Sequence, residues 1–389
     1  MNSVAPFEAH CGSVQTPSNS YTGSMEIRKP SVGAPSSLKK ELTKIAIYHD
    51  ALLQNGGAEK VSLMWAQKLK YPITVLAWNN KETVTNEIAP QVMLNFIKSQ
   101  KVLEYSFPLL PAILPFLKRN NEMLRLVSTT GLAHHFKGYW QKRILYIHSP
   151  ARWIWDAESF NLGRKRSQVV FANLLRPFFK YYDRKSIKSK DILLVNSYAT
   201  REKVKRAYNR DSEVLFPPVA KFNGTVRKIP LPKNYEQFFL QVGRVRGYKG
   251  YDFLIQVFKD SGFRLIMVGE GTESIQNESI LGLGFVSESE LAWLYESAQA
   301  LLAVSKEDFG LTPVEAAFYG CPTIAFKQNG YLDSVRDGIS GQHVVPNDVG
   351  IMKKALVEFD RSKYSFIKML EFAREFSLEN HLSKLEKYF

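Results

Sequence analysis

The stretch EDFGLTPVE places the carboxylates of Glu307 and Glu315 on either side of Gly310, Thr312 and Pro313. Carboxylates in such a setting can hold a polar ligand or order a helix start. Thr312 and Glu315 have capping-box spacing, with Thr312 as N-cap, Pro313 at the first helical position and Glu315 at the third. Glu307 follows the apolar run ALLAVS and has no comparable local role. Three more clusters have chemical content. In VGRVRGYKG, the cations Arg244, Arg246 and Lys249 follow an apolar run, where strand ends of open α/β sheets meet a ligand; they suit a diphosphate, or simply solvate a loop. Gly56 and Gly57 stand between a strand and a helix, where backbone N–H groups can approach an anion, although a tight turn alone also explains them. Glu270, in VGEGTES, stands between two glycines that read as a strand-to-loop turn at the same edge, where its carboxylate could meet a nucleotide or serve the turn alone. YIHSPARWIWD puts His148 just past an apolar strand and follows it with Arg152, Trp153, Trp155 and Asp156, costly residues for a plain loop. A histidine there can donate hydrogen bonds to a sugar or to developing charge, or serve the fold alone.

Other chemistries lack their residues. The chain has no G-x-x-x-x-G-K-[ST], no G-x-S-x-G and no H-E-x-x-H. It has no Asp-x-Asp either, so no metal site is expected, and cations with backbone amides must neutralise any diphosphate. The balance of 52 basic and 37 acidic residues, +15, favours an anionic ligand or surface. No zinc-finger spacing or RNP-like strand accompanies it, which argues against nucleic acid. Two cysteines make no disulfide framework, and the N-terminus lacks the apolar core of a signal peptide, so a cytoplasmic location is expected.

These residues need elements to position them. Residues 1–41 are rich in Ser, Pro and Gly and read as a disordered tail. From KIAIYH onward apolar runs alternate with helical patterns: PITVLAW, MLNFI, RLVST, RILYIH and DILLVNS read as strands of an open, mostly parallel sheet. Proline-rich Pro217–Gln237 interrupts the rhythm, and FFLQVGRV, FRLIMVG, ILGLGFV, ALLAVS and PTIAF restart it. The expected architecture is α/β with two Rossmann-like domains, 42–218 and 219–366, and a final helix, 367–389, that crosses back to the first. Gly163–Lys190 interleaves basic residues with aromatics, a pattern that suits an anionic membrane surface or a solvated helix face. YSFPLLPAILPFL, with three prolines, is a candidate acceptor groove.

The Gly-Gly turn, the Gly-Arg/Lys cluster and Glu307-x7-Glu315, in that order, resemble the retaining glycosyltransferases of GT-B fold, in the sucrose-synthase and mannosyltransferase-like group known as family four. The resemblance covers about residues 42–345. FGLTPVEAAFYGCPTIA is its most specific part, and IHSPARWIWD is similar to a segment of bacterial mannosyltransferases of polysaccharide assembly. It implies a cleft between two domains and a nucleotide-sugar donor, GDP-mannose by the last segment, with no cofactor. It further implies that Arg244 and Lys249 hold the donor diphosphate, with Gly57 over the phosphate and Gly56 beside it. Glu315 would hold the ribose, and Glu307 would contact the transferred sugar with amides around Phe309, Gly310, Leu311 and Thr312. His148 would meet that sugar, and Arg152, Trp153 and Trp155 the acceptor, a glycan or polyprenyl-diphosphate-linked sugar. Asn329-Gly330-Tyr331 departs from the Gly-Gly the family often has there.

Overall fold

The protein was analysed as a computed structural model, which describes residues 43–389 apart from 55, 80–89, 95–96, 100–101, 104–112, 114–116, 118–119, 157–165 and 246–249. The tail 1–41, Lys249 with Arg246, and most of YSFPLLPAILPFL lie outside the described residues.

Strands β1 (Thr43–Leu52), β2 (Ile73–Trp78), β3 (Gln91–Val92), β4 (Asn120–Thr129), β5 (Gly138–Ile147), β6 (Ile192–Val195) and β7 (Glu213–Val214) form one sheet in the order β3-β2-β1-β4-β5-β6-β7. All its pairings are parallel, with Ile47 opposite Ile73 and Tyr48 opposite Val127. Strands β8 (Phe239–Val242), β9 (Leu265–Val268), β10 (Ile280–Gly282), β11 (Leu301–Ala303), β12 (Thr323–Phe326) and β13 (Gly341–Val344) form a second parallel sheet, β10-β9-β8-β11-β12-β13. Runs such as LIMV and TIAF are buried throughout, as strands covered by helices on both faces require. The segment MLNFI, expected as a strand, lies mostly past one. The strand is Gln91–Val92, after which the Met93 and Leu94 amides still bond Val75 and Leu76 while Leu94 and Ile97 turn into the core.

Strand order reverses once in each sheet, at β1 between β2 and β4 and at β8 between β9 and β11. At such a point the connections leave to opposite sides and open a crevice at the carboxyl ends of the strands. The loops after β1, β5, β8 and β11 carry Gly56, His148, Arg244 and Glu307.

Two buried arginines stiffen the first sheet. Arg125 donates to Glu122 and stacks over Tyr48 and Trp140, and Arg143 donates to Asp191. Each is paired and hydrogen-bonded, the condition under which a buried charge is tolerated. Near the chain end, Phe366–Arg374 sets Met369 and Phe372 into the second-half core, whereas Leu378–Leu385 sets Leu382 and Leu385 beside Trp65 and Leu126 of the first. Among the described residues no helix is long and apolar enough to cross a membrane.

Candidate active site

The loops at the two switch points line a cleft of ≈ 1850 Å³. From the second half, Arg244 follows β8 and its Nη1 donates to Gln54 Oε1 of the first half. Glu307 follows β11: Ser305 Oγ donates to its Oε1 at 3.1 Å, and Gly330 N–H donates to its backbone oxygen at 3.1 Å. Ser305 Oγ also lies 2.7 Å from the Tyr331 hydroxyl, so the β11 loop is tied to the Asn329-Gly330-Tyr331 turn.

The helix expected to start at a Thr312 cap starts earlier. It spans Leu311–Ala317 with Gly310 as N-cap at φ 84°, and no side chain caps it. That left-handed backbone suits glycine, and it carries the chain from the strand edge into the helix in one residue. Thr312 therefore sits inside the first turn and there is no capping box. Glu315 is instead held across its helix, with the Tyr295 hydroxyl donating to Oε2 at 3.1 Å and Lys60 Nζ 3.9 Å from Oε1. Burial, and then Glu315 itself, push the Tyr295 hydroxyl well above its ordinary pKa, so it remains a donor.

From the first half, the helix Gly57–Leu69 opens on Gly56, again with no side-chain cap. A Cβ on Gly57 would lie 2.7 Å from Leu311 Cδ1, which measures how closely this start approaches the facing loop. The first N–H groups of a helix have no intrahelical partners, and here they stand on residues that line the cleft.

His148 lines the cleft from the end of β5, with Nε2 2.8 Å from Ser128 Oγ. The chain of bonds accommodates His148 as the Nδ1–H tautomer. His49 Nδ1 contacts both the Ser128 carbonyl, 3.2 Å, and Oγ, 3.0 Å; a carbonyl only accepts, so His49 donates. The Ser128 hydroxyl can then donate to His148 Nε2, the arrangement that puts the His148 proton on Nδ1. Burial, reinforced by His49, lowers the His148 pKa to about 3, so at neutral pH it is an uncharged hydrogen-bond donor rather than an imidazolium.

Gly56, Gly57, His148, Arg152, Trp153, Arg244, Glu270, Glu307, Phe309, Gly310, Leu311, Thr312 and Glu315 all line this cleft, and Trp155 does not. The Trp155 indole donates to Asp183 at 2.6 Å, packs edge-on to Tyr208 and lies under Lys180 and Arg184. In this position the ring packs behind the wall rather than on the cleft lining. One group among the described residues could hold a metal ion, His134, His135 and Asp183, whose ligand atoms lie within 4.8 Å of one another. It is buried off the cleft lining, and Asp183 Oδ1 already contacts His134 at 2.7 Å and His135 at 3.0 Å.

Comparison with known proteins bears on the second half first. Residues 223–363 match the family model described as glycosyl transferases group 1. The matched segment holds β8 to β13 and the loops that carry Arg244 and Glu307. The chain is 29% identical over 209 residues to an uncharacterized 41.2 kDa protein in the cps region of Klebsiella pneumoniae, covering 47% of the chain and 57% of that protein. It is 25% identical over 244 residues to the O-antigen chain mannosyltransferase RfbU of Salmonella typhimurium, covering 55% and 67%. The match thus spans little more than half of the first of these relatives. Among solved structures, HepE of Anabaena with UDP and glucose superposes with TM-score 0.64 at 15% identity, covering 88% of this chain and 98% of that one. The sucrose-phosphate synthase of Thermosynechococcus elongatus superposes with TM-score 0.65 at 14% identity, covering 88% and 98%. The fold is GT-B, two Rossmann-like halves about a cleft.

Within the group 1 segment, sequence reasoning passed over Asp308, the residue between Glu307 and Phe309. Asp308 is buried, and it accepts from Arg152 Nη2 at 2.5 Å and from Lys203 Nζ at 2.6 Å, both from the first half. Burial alone would raise its pKa; the two cations outweigh burial and hold it at about 2. Its neighbourhood in EDFG was the only signal available, because its partners are more than a hundred positions away. Ser128 and Tyr295 were passed over too, because partners 20 to 79 positions away also lie beyond local spacing.

Proposed function

We propose that the protein is a retaining glycosyltransferase that moves a hexose from a nucleotide sugar to a glycan or lipid-linked acceptor in polysaccharide assembly. The supporting observation is the convergence in one cleft of Arg244, Glu307 and Glu315 from the group 1 segment with His148 and the Gly56–Gly57 helix start from the other half. Cleavage of the anomeric bond builds positive charge on the sugar and negative charge on the leaving diphosphate. Arg244 and Lys249 with the uncapped helix start stabilise the diphosphate, so the reaction is assigned no metal and no cofactor. Glu307 faces the sugar, His148 donates to it through Nδ1–H, and Glu315 takes the ribose hydroxyls. Mannose from GDP-mannose is the preferred donor, on the strength of the mannosyltransferase relative. Arg152 and Trp153 border the acceptor side.

The helix Arg166–Ser186 supports peripheral contact with an anionic membrane on the cytoplasmic side. Val170, Leu174, Phe178 and Tyr181 are 61%, 75%, 59% and 59% exposed at helical spacing, with Arg184, Lys185, Lys188 and Lys190 close in sequence. Such a surface would bring a lipid-linked acceptor to the cleft.

The deciding experiment is thermal shift and turnover with GDP-mannose, UDP-glucose and UDP-N-acetylglucosamine, since a ligand that binds only the native state raises apparent stability. Stabilisation and sugar release with GDP-mannose above the other two is expected. Response to a UDP-sugar alone replaces the donor, and response to none rejects the transferase reading.

A further inference from the structure

Several contacts join the halves around the cleft. Arg244 reaches Gln54, Lys60 lies 3.9 Å from Glu315, and Tyr198 N–H donates to Asp333 at 2.9 Å. The contact at Asp308 differs in kind. It sets one carboxylate, 7% exposed, against two full positive charges at 2.5 and 2.6 Å. Arg152 opens the short helix Arg152–Trp155 just past His148, and Lys203 lies on the helix Tyr198–Tyr208, whose start is fixed by the Ser197 side chain accepting from Thr200 N–H. Asp308 is also next to Glu307, and the next residue, Phe309, is wedged between Phe216 and Phe376 at ring distances of 5.8 and 5.5 Å. The carboxylate is thus the joint between the candidate sugar-facing loops of the two halves.

We propose that Asp308 is a positioning residue, an ionic latch with Arg152 and Lys203 that closes the halves on each other and sets Glu307 opposite the His148 wall. The function of the latch rests on the transferase reading, whereas its existence does not. The cations are 33% and 32% exposed, so dissolved salt reaches them and closure depends on ionic strength. A nucleotide held mainly by Arg244, Lys249 and Glu315 needs no latch to bind, but reacting groups on two walls need closure to meet. Misplacement by about 1 Å can cost about a hundredfold in rate.

The test uses the full chain with spin labels at Lys137→Cys and Glu278→Cys, one exposed position in each half. Cys11 is replaced by Ser; buried Cys321, its thiol pushed up to about 12, does not react. Asp308→Asn should lengthen or broaden the inter-label distance distribution, and high salt should move the parent protein the same way. Asp308→Glu should restore much of the short distance. With the donor in hand, Asp308→Asn should lower kcat about tenfold or more while nucleoside diphosphate affinity changes less than about threefold. Lys203→Met, which removes one cation from a partly exposed helix face, provides the same readout should Asp308→Asn fail to fold. An unchanged distance distribution in Asp308→Asn, or in Lys203→Met where that variant stands in, at low and high salt overturns the latch. A changed distribution with parental turnover overturns the positioning role. Absence of turnover in the parent sinks the transferase reading alone, and the distances still decide the latch.

Discussion

Trp65 Nε1 donates to His381 Nε2 at 2.9 Å, joining the first helix to the last across 316 positions. The other imidazole nitrogen, Nδ1, donates to the Phe216 carbonyl at 2.7 Å, so the ring is neutral and fully engaged. His381→Ala strands a buried indole N–H and a carbonyl, and each stranded group costs about 1–3 kcal/mol. An unfolding free energy lowered by about 2–4 kcal/mol, read as a lower urea midpoint at unchanged slope, is expected; a change below about 0.5 kcal/mol would mean that the two bonds contribute nothing net.

Stability should fall on mild acidification. The folded pKa values of His148, His135 and His381 are lowered to about 3, 4 and 4, mainly by burial. Unfolded histidines titrate near about 6.5. Between these values the unfolded chain binds more protons, so stability is fully present above pH of about 6.5 and is lost as pH falls through the folded values. Each histidine contributes up to about 1.4 kcal/mol per pH unit in that window. Denaturation midpoints flat from pH 7 to 4 would contradict the neutral tautomers.

Glu307→Gln should lower turnover by about 10²–10³-fold, the scale of one electrostatic stabiliser, with stability within about 0.5 kcal/mol. Glu315→Gln keeps an acceptor for the Tyr295 hydroxyl and loses the carboxylate, so donor KM should rise more than kcat falls. Neither change touches a helix cap. A large loss of melting temperature in Glu315→Gln would count against this geometry.

Arg244→Ala should remove about 2–4 kcal/mol of transition-state stabilisation, read as kcat/KM for the donor. Parental kcat/KM in this variant would free Arg244 from the diphosphate.

Trp153 and Trp155 should separate. Trp153→Ala should raise acceptor KM, because Trp153 lines the cleft; Trp155→Phe should lower stability by about 1–3 kcal/mol through the lost bond to Asp183 and leave acceptor KM unchanged. An acceptor effect confined to Trp155→Phe would reverse the assignment.

Much was legible in the linear order of residues. Apolar runs such as LIMV, separated by helical patterns, specify parallel strands, since only a sheet covered on both faces accepts them. Strand ends followed by Gly, His, Arg or Glu then mark the crevice edge, because side chains just past a strand's carboxyl end lie outside the sheet. The sequence alone therefore determined the α/β class and set its candidate residues at the crevice edge, though most of the residues lining the cleft were not singled out. It did not determine which local pattern would operate. Thr312 and Glu315 have capping-box spacing, yet Gly310 starts the helix two residues earlier, because its left-handed backbone steers the chain from the sheet edge. Trp155 looked like a ligand residue until Asp183 was brought to its indole. Asp308, Ser128 and His381 gain their partners from 20 to 165 positions away or more, and local spacing has no information about such neighbours. Tertiary structure decided those pairings: burying a charge or an imidazole is tolerable only beside a partner, and that partner is supplied by whichever distant segment packs against it.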